Sequence, residues 1–436
     1  MSSDSDTELD SCMSTLSLAT STTSLESLDT VAGCSSSSYT DNQGLYGQQH
    51  TPHQENRDQF QSDSMSAYGK RYQPVTKQKV LVTGVTGFVA SHITKRLLKT
   101  NKYIVHGTVR SRHNRKRVKP VTKFHNALEN LRLFECNLLD DLNWDRAVSD
   151  CTYVIHVASP FPDSQPGEPS SVVVPAVEGT KRVLDACKRA GTVKRVVLTS
   201  SIAAISGGKQ RGDYHYTEGE WSLQGDCDPY CLSKVLAEKA AWDMAATANF
   251  ELVALNPTMC LGPILVGECT SMLLVKRILE GGYPMLPKIF LPTVDVRDVA
   301  DAHISAMLAP EAAGKRIIIH STNFWLKDIA QTIHDVFTDQ GYKISVRDMP
   351  DWALSIAAKI NKSAKFVSSS IGKIITYDTN NMNQILGIEG RDVRAAVIDM
   401  CYSMIELKLA STKGKYVPNV SYLDDTELSF DNVFQF

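Results

Sequence analysis

The sequence has no apolar run long enough to cross a membrane. A spanning helix needs about 18 to 20 consecutive apolar residues, and no segment of the 436 residues reaches that length. The first residues, MSSDSDTELD, are acidic and have neither the charged-then-apolar order of a secretory signal nor the arginine-rich character of a transit peptide. These absences predict a cytoplasmic protein without a membrane span.

The sequence also lacks an excess of charge of one sign and a metal-binding cysteine pattern. Its 46 Lys and Arg residues nearly balance its 48 Asp and Glu residues, so no basic field would attract nucleic acid. The ten cysteines include no CxxC pair and no His/Cys cluster at zinc spacing. We interpret them as reduced cytosolic thiols, and we expect neither a nucleic-acid partner nor a metal.

Large apolar residues are scarce over residues 1–75, which are rich in Ser, Thr, Asp, Gln and His. Such a segment cannot bury enough surface to offset the entropy of ordering it. We therefore predict a disordered amino-terminal tail. Its serine cluster at Ser35 to Ser38 fits either phosphorylation sites or a passive solvated tail, and because serine-rich tails are common we favour the second interpretation.

From Lys79 onward, short apolar runs alternate with helical patterns. The predicted strands are Lys79–Thr83, Tyr103–Val109, Leu131–Glu135, Tyr153–Val157, Arg195–Thr199 and Glu251–Leu255, and the predicted helices are His92–Leu98, Val177–Cys187 and Pro229–Ala246. This alternation is typical of a parallel sheet covered by helices on both faces, which is the α/β doubly wound (Rossmann) fold. We assign this fold to residues 76–258.

The alternation becomes less regular after residue 258. Gly, Pro and Met are frequent between Gly262 and Pro292. Helical patterns then return at Val299–Leu308, Leu326–Phe337 and Val393–Leu407. We predict that residues 259–436 form mainly a smaller α/β substrate-binding or lid domain, with some elements returning to the first domain.

A glycine-containing turn follows the first predicted strand and precedes a helix. In this turn Gly84 permits a tight bend, Gly87 lets the backbone approach a pyrophosphate, and Ala90 keeps helix and strand close. The following helix would present backbone N–H groups and the positive end of its dipole to the phosphates. The turn therefore predicts a dinucleotide site.

An acidic residue is missing where NAD-binding folds hold the ribose 2′-hydroxyl. That residue usually ends the second strand, which here reads Thr108-Val109-Arg110-Ser111-Arg112. A guanidinium matches phosphate geometry in a bidentate way, so Arg110 favours a 2′-phosphate and NADP(H) over NAD(H). Arg112, Arg115 and Arg117 add positive charge, although Arg112 and Arg115 also fit a solvated loop.

Three side chains form a candidate catalytic set. Ser201 follows the fifth strand, and Tyr230 and Lys234 are four residues apart on the long helix, so they share one face. A lysine cation favours the phenolate of a nearby tyrosine, and a serine at a strand's carboxyl end can bond a substrate oxygen. A YxxxK match alone is common; this order behind a dinucleotide turn is not.

These motifs together resemble the extended short-chain dehydrogenases/reductases (the NAD-dependent epimerase/dehydratase superfamily), in particular the dihydroflavonol reductase-like branch. The resemblance covers about Lys79 to Leu407. The strings that carry it are VLVTGVTGFVASHITKRLL, VRS, VIHVASP, VVLTSSIAAI, YCLSKVLAEKAAW, LNPTMCLGP and VDVRDVADAHI.

The resemblance implies roles for individual residues. The family's catalytic serine, tyrosine and lysine fall on Ser201, Tyr230 and Lys234, with Ser201 preferred to Ser200 because small residues follow it directly. The implied cofactor contacts are Gly84, Thr86, Gly87, Phe88, Val89, Ala90, Arg110, Arg117, Asn137, Leu138, Ala158, Tyr230, Lys234, Pro257 and Thr258.

Two departures from the family pattern concern single residues. The family often has Asp-Leu near the adenine, where this chain has Asn137-Leu138; an amide can also bond adenine. Many extended members carry an asparagine in the helix that here reads Ala176-Val177-Glu178-Gly179-Thr180. Its absence argues against a proton relay through that position.

The implied activity is NADP-dependent reduction of an aldehyde or ketone, or the reverse oxidation of an alcohol. Tyr230 would donate the proton, Lys234 would hold the nicotinamide ribose, and Ser201 would orient the carbonyl. A hydroxysteroid dehydrogenase or a sugar-nucleotide epimerase uses the same three groups, and a non-catalytic NADP-binding sensor is the alternative from another class. A homodimer through the long helix is also compatible with the family.

Several other side chains allow two interpretations. His156 and His303 fit a metal or base role, but buried, hydrogen-bonded core residues are the favoured interpretation. Cys227 and Cys231 fit either a redox pair or two ordinary thiols, and the second is favoured.

Overall fold

The computed structural model describes residues 77–159, 170–208, 213–350, 372–419 and 421. The tail predicted over residues 1–75 lies outside these residues. So does its serine cluster at Ser35 to Ser38.

A seven-stranded parallel sheet forms the centre of the described structure. Its spatial order is β10-β7-β5-β4-β1-β2-β3, and every neighbouring pair is parallel. The strands are β1 Gln78–Val82, β2 Tyr103–Val109, β3 Leu131–Glu135, β4 Cys151–His156, β5 Arg195–Thr199, β7 Glu251–Pro257 and β10 Arg316–Ile319. This sheet confirms the predicted α/β doubly wound fold.

The strand order reverses between β1 and β4. From β1 the chain builds outward through β2 and β3, then returns to β4 on the other side and continues through β5 and β7. In such sheets a crevice opens at the carboxyl ends of the strands where the direction reverses, and ligands bind there. The topology therefore places the expected ligand site beside the end of β1.

Helices cover both faces of the sheet. The α-helices are α1 Phe88–Thr100, α2 Arg115–Thr122, α3 Ala127–Asn130, α4 Trp144–Val148, α5 Ser170–Ala190, α6 Ala203–Ser206, α7 Pro229–Ala245, α8 Thr270–Leu279, α9 Val296–Leu308, α10 Leu326–Phe337, α11 Asn380–Leu386 and α12 Val393–Glu406. Short 3₁₀ turns lie at Gln224–Asp226 and Pro310–Ala312.

Two separate apolar cores lie on the two faces. One contains Leu97 of α1, Val299 of α9 and the helices of the later half. The other contains Trp144 of α4, Leu184 of α5 and Ala241 of α7. Because the sheet is apolar on both sides, strands such as β5 are buried along their whole length.

Two small sheets follow or flank the main one. A three-stranded sheet has the order β11-β9-β8, and a two-stranded parallel sheet pairs β12 with β6. Their bounds are β6 Tyr214–Tyr216, β8 Met259–Leu261, β9 Phe290–Asp295, β11 Thr322–Trp325 and β12 Ile375–Tyr377. A separate substrate-binding domain over residues 259–436 stays a prediction. In the part of the chain that is described, no helix is both long and apolar enough to span a membrane.

Candidate active site

The turn between β1 and α1 is held in a conformation that requires glycine. Gly84 has a φ of 68°, its N–H donates to Thr108 Oγ1 over 2.9 Å, and its carbonyl accepts from the Gly87 N–H at 2.8 Å. A Cβ atom on Gly84 would lie 3.1 Å from the Ala158 Cβ. The turn therefore needs both the left-handed backbone and the missing side chain.

Helix α1 begins directly after this turn with no side-chain cap. Gly87 occupies the N-cap position and makes no side-chain cap, and the first turn contains no acidic residue. Phe88, Val89 and Ala90 bury their side chains, so they offer backbone N–H groups at the positive end of the helix dipole. Such an end is suited to an anion.

A cleft of about 870 Å³ opens beside the turn, at the carboxyl ends of β1 to β4. Seven of the predicted cofactor residues line it: Gly84, Gly87, Ala90, Arg110, Asn137, Leu138 and Ala158. The sequence analysis missed the other lining residues, which are Thr108, Val109, Cys136, Leu139, Trp144, Val157 and Ser159. Most of these directly end or follow β2, β3 or β4, which is the signal that would have identified them.

Thr83 ties the end of β1 to the loop after β4. Its Oγ1 accepts from the backbone N–H groups of Val157 and Ala158, each at 2.9 Å, and lies 2.9 Å from His156 Nδ1. Because the hydroxyl already accepts twice, it donates to His156 Nδ1. Burial, with a smaller contribution from the Lys234 charge, lowers the pKa of His156 to about 3, so this histidine is a neutral structural group.

Arg110 and Arg117 lie in different surroundings. Arg110 is exposed at the cleft. The guanidinium of Arg117 lies against Gly267, where an added Cβ would be 3.2 Å from its Nη1, and Arg117 is not among the cleft-lining residues. The structure thus brings Arg110, but not Arg117, to the cleft wall.

Asn137 and Leu138 also line the cleft. The Asn137 side-chain oxygen accepts from the Leu139 N–H over 3.0 Å, and its backbone oxygen accepts from Trp144 Nε1 over 3.1 Å. The Leu138 side chain packs against Gly179, where a Cβ would come within 2.9 Å.

Tyr230 and Lys234 lie on one face of α7, as their spacing predicts. Both are buried, with 7% and 4% of their surface exposed, and Lys234 Nζ is 5.7 Å from the centre of the Tyr230 ring. The helix begins with Pro229 after Asp228, whose carboxylate accepts from the Cys231 N–H at 2.7 Å. Burial lowers the pKa of Lys234 to about 8, although the Glu238 carboxylate opposes this effect.

The two serines after β5 have different partners. Ser200 Oγ donates to Glu238 Oε2 over 2.5 Å. Ser201 Oγ accepts from the Ala203 N–H over 3.1 Å, which leaves its hydroxyl hydrogen for another acceptor. This difference supports the choice of Ser201 over Ser200.

Pro257 ends β7, and Thr258 directly follows it. The Pro257 carbonyl accepts from the Ile202 N–H over 3.0 Å, and the Thr258 N–H donates to the Ile319 carbonyl over 3.0 Å. Neither residue lines the cleft beside the glycine turn.

A buried carboxylate that the sequence did not single out, Glu238, lies on α7 next to the predicted catalytic residues. Glu238 lies one turn after Lys234 on α7 and contacts Ser200, Asn256 and Arg316. Its place at i+4 from Lys234 was a readable signal. Asn256 lies on β7 and Arg316 on β10, so only the folded structure brings them to Glu238.

The remaining candidate groups have ordinary partners. His303 is bonded to Thr199 Oγ1 and the Val299 carbonyl, each at 2.7 Å, and burial lowers its pKa to about 4. Cys231 donates to the Ala203 carbonyl, and both Cys227 and Cys231 are free thiols. Among the described residues no group of three or more His, Cys, Asp or Glu side chains could hold a metal ion.

Comparison with known proteins finds one family along more than half of the chain. Residues 80–319 match the NAD dependent epimerase/dehydratase family. A cinnamoyl-CoA reductase from Medicago truncatula is 37% identical over 246 residues, which cover 55% of this chain and 75% of the relative. A dihydroflavonol 4-reductase from Hordeum vulgare is 34% identical over 275 residues, covering 60% and 76%.

A solved structure has the same fold. The yeast methylglyoxal/isovaleraldehyde reductase Gre2, crystallised with NADPH, superimposes with a TM-score of 0.64 at 26% identity. The superposition covers 77% of this chain and all of the yeast chain.

Proposed function

Since this chain belongs to the NAD dependent epimerase/dehydratase family, we propose that it is an NADPH-dependent reductase that converts an aldehyde or ketone to an alcohol. The observation that carries this proposal is the buried Tyr230 and Lys234 pair on one face of α7, together with Ser201, whose carbonyl is linked to the same helix through Asn256 and Glu238. The relatives and the solved structure described above are all reductases by name.

The residues of the cleft fit NADPH. The missing side chain at Gly84 and the uncapped start of α1 leave room and N–H donors for a pyrophosphate. Arg110 lies where a 2′-phosphate would need a cation, and Asn137 with Leu138 would face the adenine. Thr86, Phe88 and Val89 would contribute through the turn and the first helical residues. When bound, NADPH supplies the hydride that is added to the carbonyl carbon.

Ser201, Tyr230 and Lys234 act on the carbonyl oxygen of the substrate. Ser201 donates a hydrogen bond that orients and polarises the carbonyl. Tyr230 acts as general acid and gives its proton to the oxygen as negative charge develops there. Lys234 places a positive charge near the Tyr230 ring, which favours the phenolate left after proton transfer, and it would also bind the nicotinamide ribose. Pro257 and Thr258 would border the nicotinamide.

The direct test is consumption of NADPH in the presence of a panel of aldehydes and ketones. We expect turnover with at least one compound. Tyr230→Phe should reduce kcat by at least about a hundredfold, which is the usual contribution of a general acid, while NADPH binding stays within a factor of about two.

A matched control is Tyr342→Phe, which removes a buried hydroxyl that donates to the Ser411 carbonyl away from this site. It should keep wild-type turnover. Full activity of Tyr230→Phe would exclude the mechanism. Tight NADPH binding with no turnover across the panel would favour the sensor, and interconversion of a sugar nucleotide without net NADPH consumption would favour the epimerase.

The proposal also covers the cellular compartment and the oligomeric state of the enzyme. A reducing compartment such as the cytoplasm is supported by the eight free cysteines among the described residues. The homodimer stays a prediction, which the mass of the protein in solution would test.

A further inference from the structure

The side chain of Glu238 on α7 accepts hydrogen bonds from three residues outside its own helix. It lies four residues after Lys234 and only 1% of its surface is exposed. Its Oε2 accepts from Ser200 Oγ over 2.5 Å and from Asn256 Nδ2 over 2.9 Å. Its Oε1 accepts from Arg316 Nε over 2.6 Å.

The same contacts reach the candidate catalytic serine. Asn256 Nδ2 donates to the Ser201 carbonyl over 3.1 Å as well as to Glu238. Ser200, the direct neighbour of Ser201, is bonded to the same carboxylate. One carboxylate on α7 therefore holds the segment directly after β5, on which Ser201 lies.

Arg316 anchors Glu238 from the edge strand β10. Its Nη1 donates to the carbonyls of Glu218 and Glu220 at 2.7 and 2.6 Å, and its guanidinium lies 3.7 Å from the centre of the Trp221 ring. The guanidinium is therefore held by these carbonyls and this ring while it donates to Glu238 through Nε and, over 3.5 Å, through Nη2.

Few other ionisable groups act on Lys234. Burial lowers its pKa to about 8, and the Glu238 carboxylate and the Cys260 thiol group on β8 oppose that shift. His156 on β4 is neutral near pH 7, because burial lowers its pKa to about 3, and Tyr230 lies on the same helix. The carboxylates of Glu218 and Glu220 are bonded to the Ile318 N–H and the Tyr214 hydroxyl.

Helix α5, which packs against α7, has four charged residues in ion pairs away from Lys234. Lys181 is bonded to Glu178, and Arg182 and Arg189 are bonded to Asp141 and Asp145. Glu238 is therefore the carboxylate whose removal should act most directly on Lys234, and Arg316 is the cation paired with that carboxylate.

We propose that Glu238 is a positioning residue for this reaction, which holds the serine-bearing segment after β5 against α7 and stabilises the ammonium charge of Lys234. The inference rests on the proposed carbonyl reduction. Its two parts have different readouts: the positioning affects kcat, and the charge affects the pH at which activity is lost.

The test compares Glu238→Gln with Arg316→Gln by the dependence of kcat/KM on pH for carbonyl reduction. Activity should fall at alkaline pH as the Tyr230 and Lys234 pair loses a proton. Glu238→Gln removes an anion and should move this fall to lower pH by about one unit, whereas Arg316→Gln removes a cation and should move it to higher pH. A packing role alone gives no opposite shifts, since both variants break the same ion pair.

Two further variants serve as controls. Arg316→Lys keeps the cation and should keep the wild-type pH dependence. Arg195→Gln removes a similar arginine, which bonds Glu251 at 2.7 Å and three backbone carbonyls at the other end of β5. It should lower the unfolding temperature without moving the alkaline fall of kcat/KM.

A double variant covers the case in which the single variants do not fold. Glu238→Gln with Arg316→Gln leaves neither member of this ion pair without its partner, and because Glu238 lies one turn from Lys234 on α7, the fall should still move to lower pH. Unshifted or equally directed profiles in the single variants, or an unshifted profile in the double variant, would overturn the inference. Absence of NADPH consumption by the wild-type protein with every carbonyl would instead overturn the proposed function, and this inference with it.

Discussion

The role of each hydroxyl group in this site depends on its hydrogen-bond partners. Ser200 and Ser201 are adjacent and chemically identical, yet one bonds the buried Glu238 and the other only a backbone N–H. Thr83 Oγ1 joins β1 to the loop after β4 through three bonds. The residue type is readable from the sequence, but the partner that decides its task is not.

The preference for a phosphorylated cofactor should depend on one arginine. Arg110→Ala should weaken NADPH binding about tenfold, because a charge-assisted hydrogen bond contributes roughly 1.5–3 kcal/mol, and it should leave NADH binding nearly unchanged. Fluorescence titration with both cofactors measures this. Arg112→Ala is the control, since Arg112 is exposed and does not line the cleft. Equal weakening of NADPH and NADH binding by Arg110→Ala would contradict the assignment.

At the scale of elements, strands inside the main sheet were the easiest to predict. β2, β3 and β5 have the predicted bounds, because the apolar residues that mark each strand lie close together along the chain. Helix α1 was predicted from His92 but begins at Phe88, since its first turn has no capping side chain to mark the start. The strands β6, β8, β11 and β12 have three or four residues and are defined by distant partners, so no local pattern indicates them.

In the candidate site, too, some residues can be predicted from local spacing and others only from the fold. Tyr230, Lys234 and the glycine turn have a spacing that can be read along the chain. The link from Glu238 to Asn256 and Arg316 joins a helix to two strands. It depends on the strand order, which no periodicity in the sequence reveals.

The turn between β1 and α1 can be tested with a pair of glycines. Gly84→Ala and Gly191→Ala both place alanine at a φ near +67°, from 68° and 66°, which costs about 1–2 kcal/mol. Only Gly84→Ala also brings a Cβ 3.1 Å from Ala158, while nothing lies within 4 Å at Gly191.

We expect thermal unfolding to show the larger loss of stability for Gly84→Ala. NADPH binding should weaken in that variant alone. An equal effect of the two substitutions on NADPH binding would show that the close approach to Ala158 has no role in the cofactor site.

For the whole molecule, buried histidines predict how stability depends on pH. Burial lowers the pKa of His156 to about 3 and those of His303 and His320 to about 4. Between these values and about 6.5, the unfolded chain binds protons that the folded protein does not, so the free energy of unfolding falls as the pH falls. Each pH unit below about 6 should cost about 1.4 kcal/mol per histidine.

Urea denaturation at pH 7 and pH 5 measures this dependence. His303→Gln should lower stability at pH 7 and reduce the loss between the two pH values. His215→Gln, at an exposed position, should leave that loss unchanged. Stability that does not differ between pH 7 and pH 5 in the wild-type protein would contradict the assignment of neutral buried histidines.

The pairing of β6 with β12 determines when this part of the fold can form during synthesis on the ribosome. Tyr214 and Ile375 are paired across 161 residues, and translation at about 5–20 residues per second separates their synthesis by roughly 8 to 30 seconds. Until then the Ser206 hydroxyl, on the segment that follows Ser201, has no Tyr377 hydroxyl to bond at 2.9 Å. The nascent enzyme therefore gains its glycine turn early and the support of its serine segment late, so cofactor affinity should precede catalytic competence during synthesis.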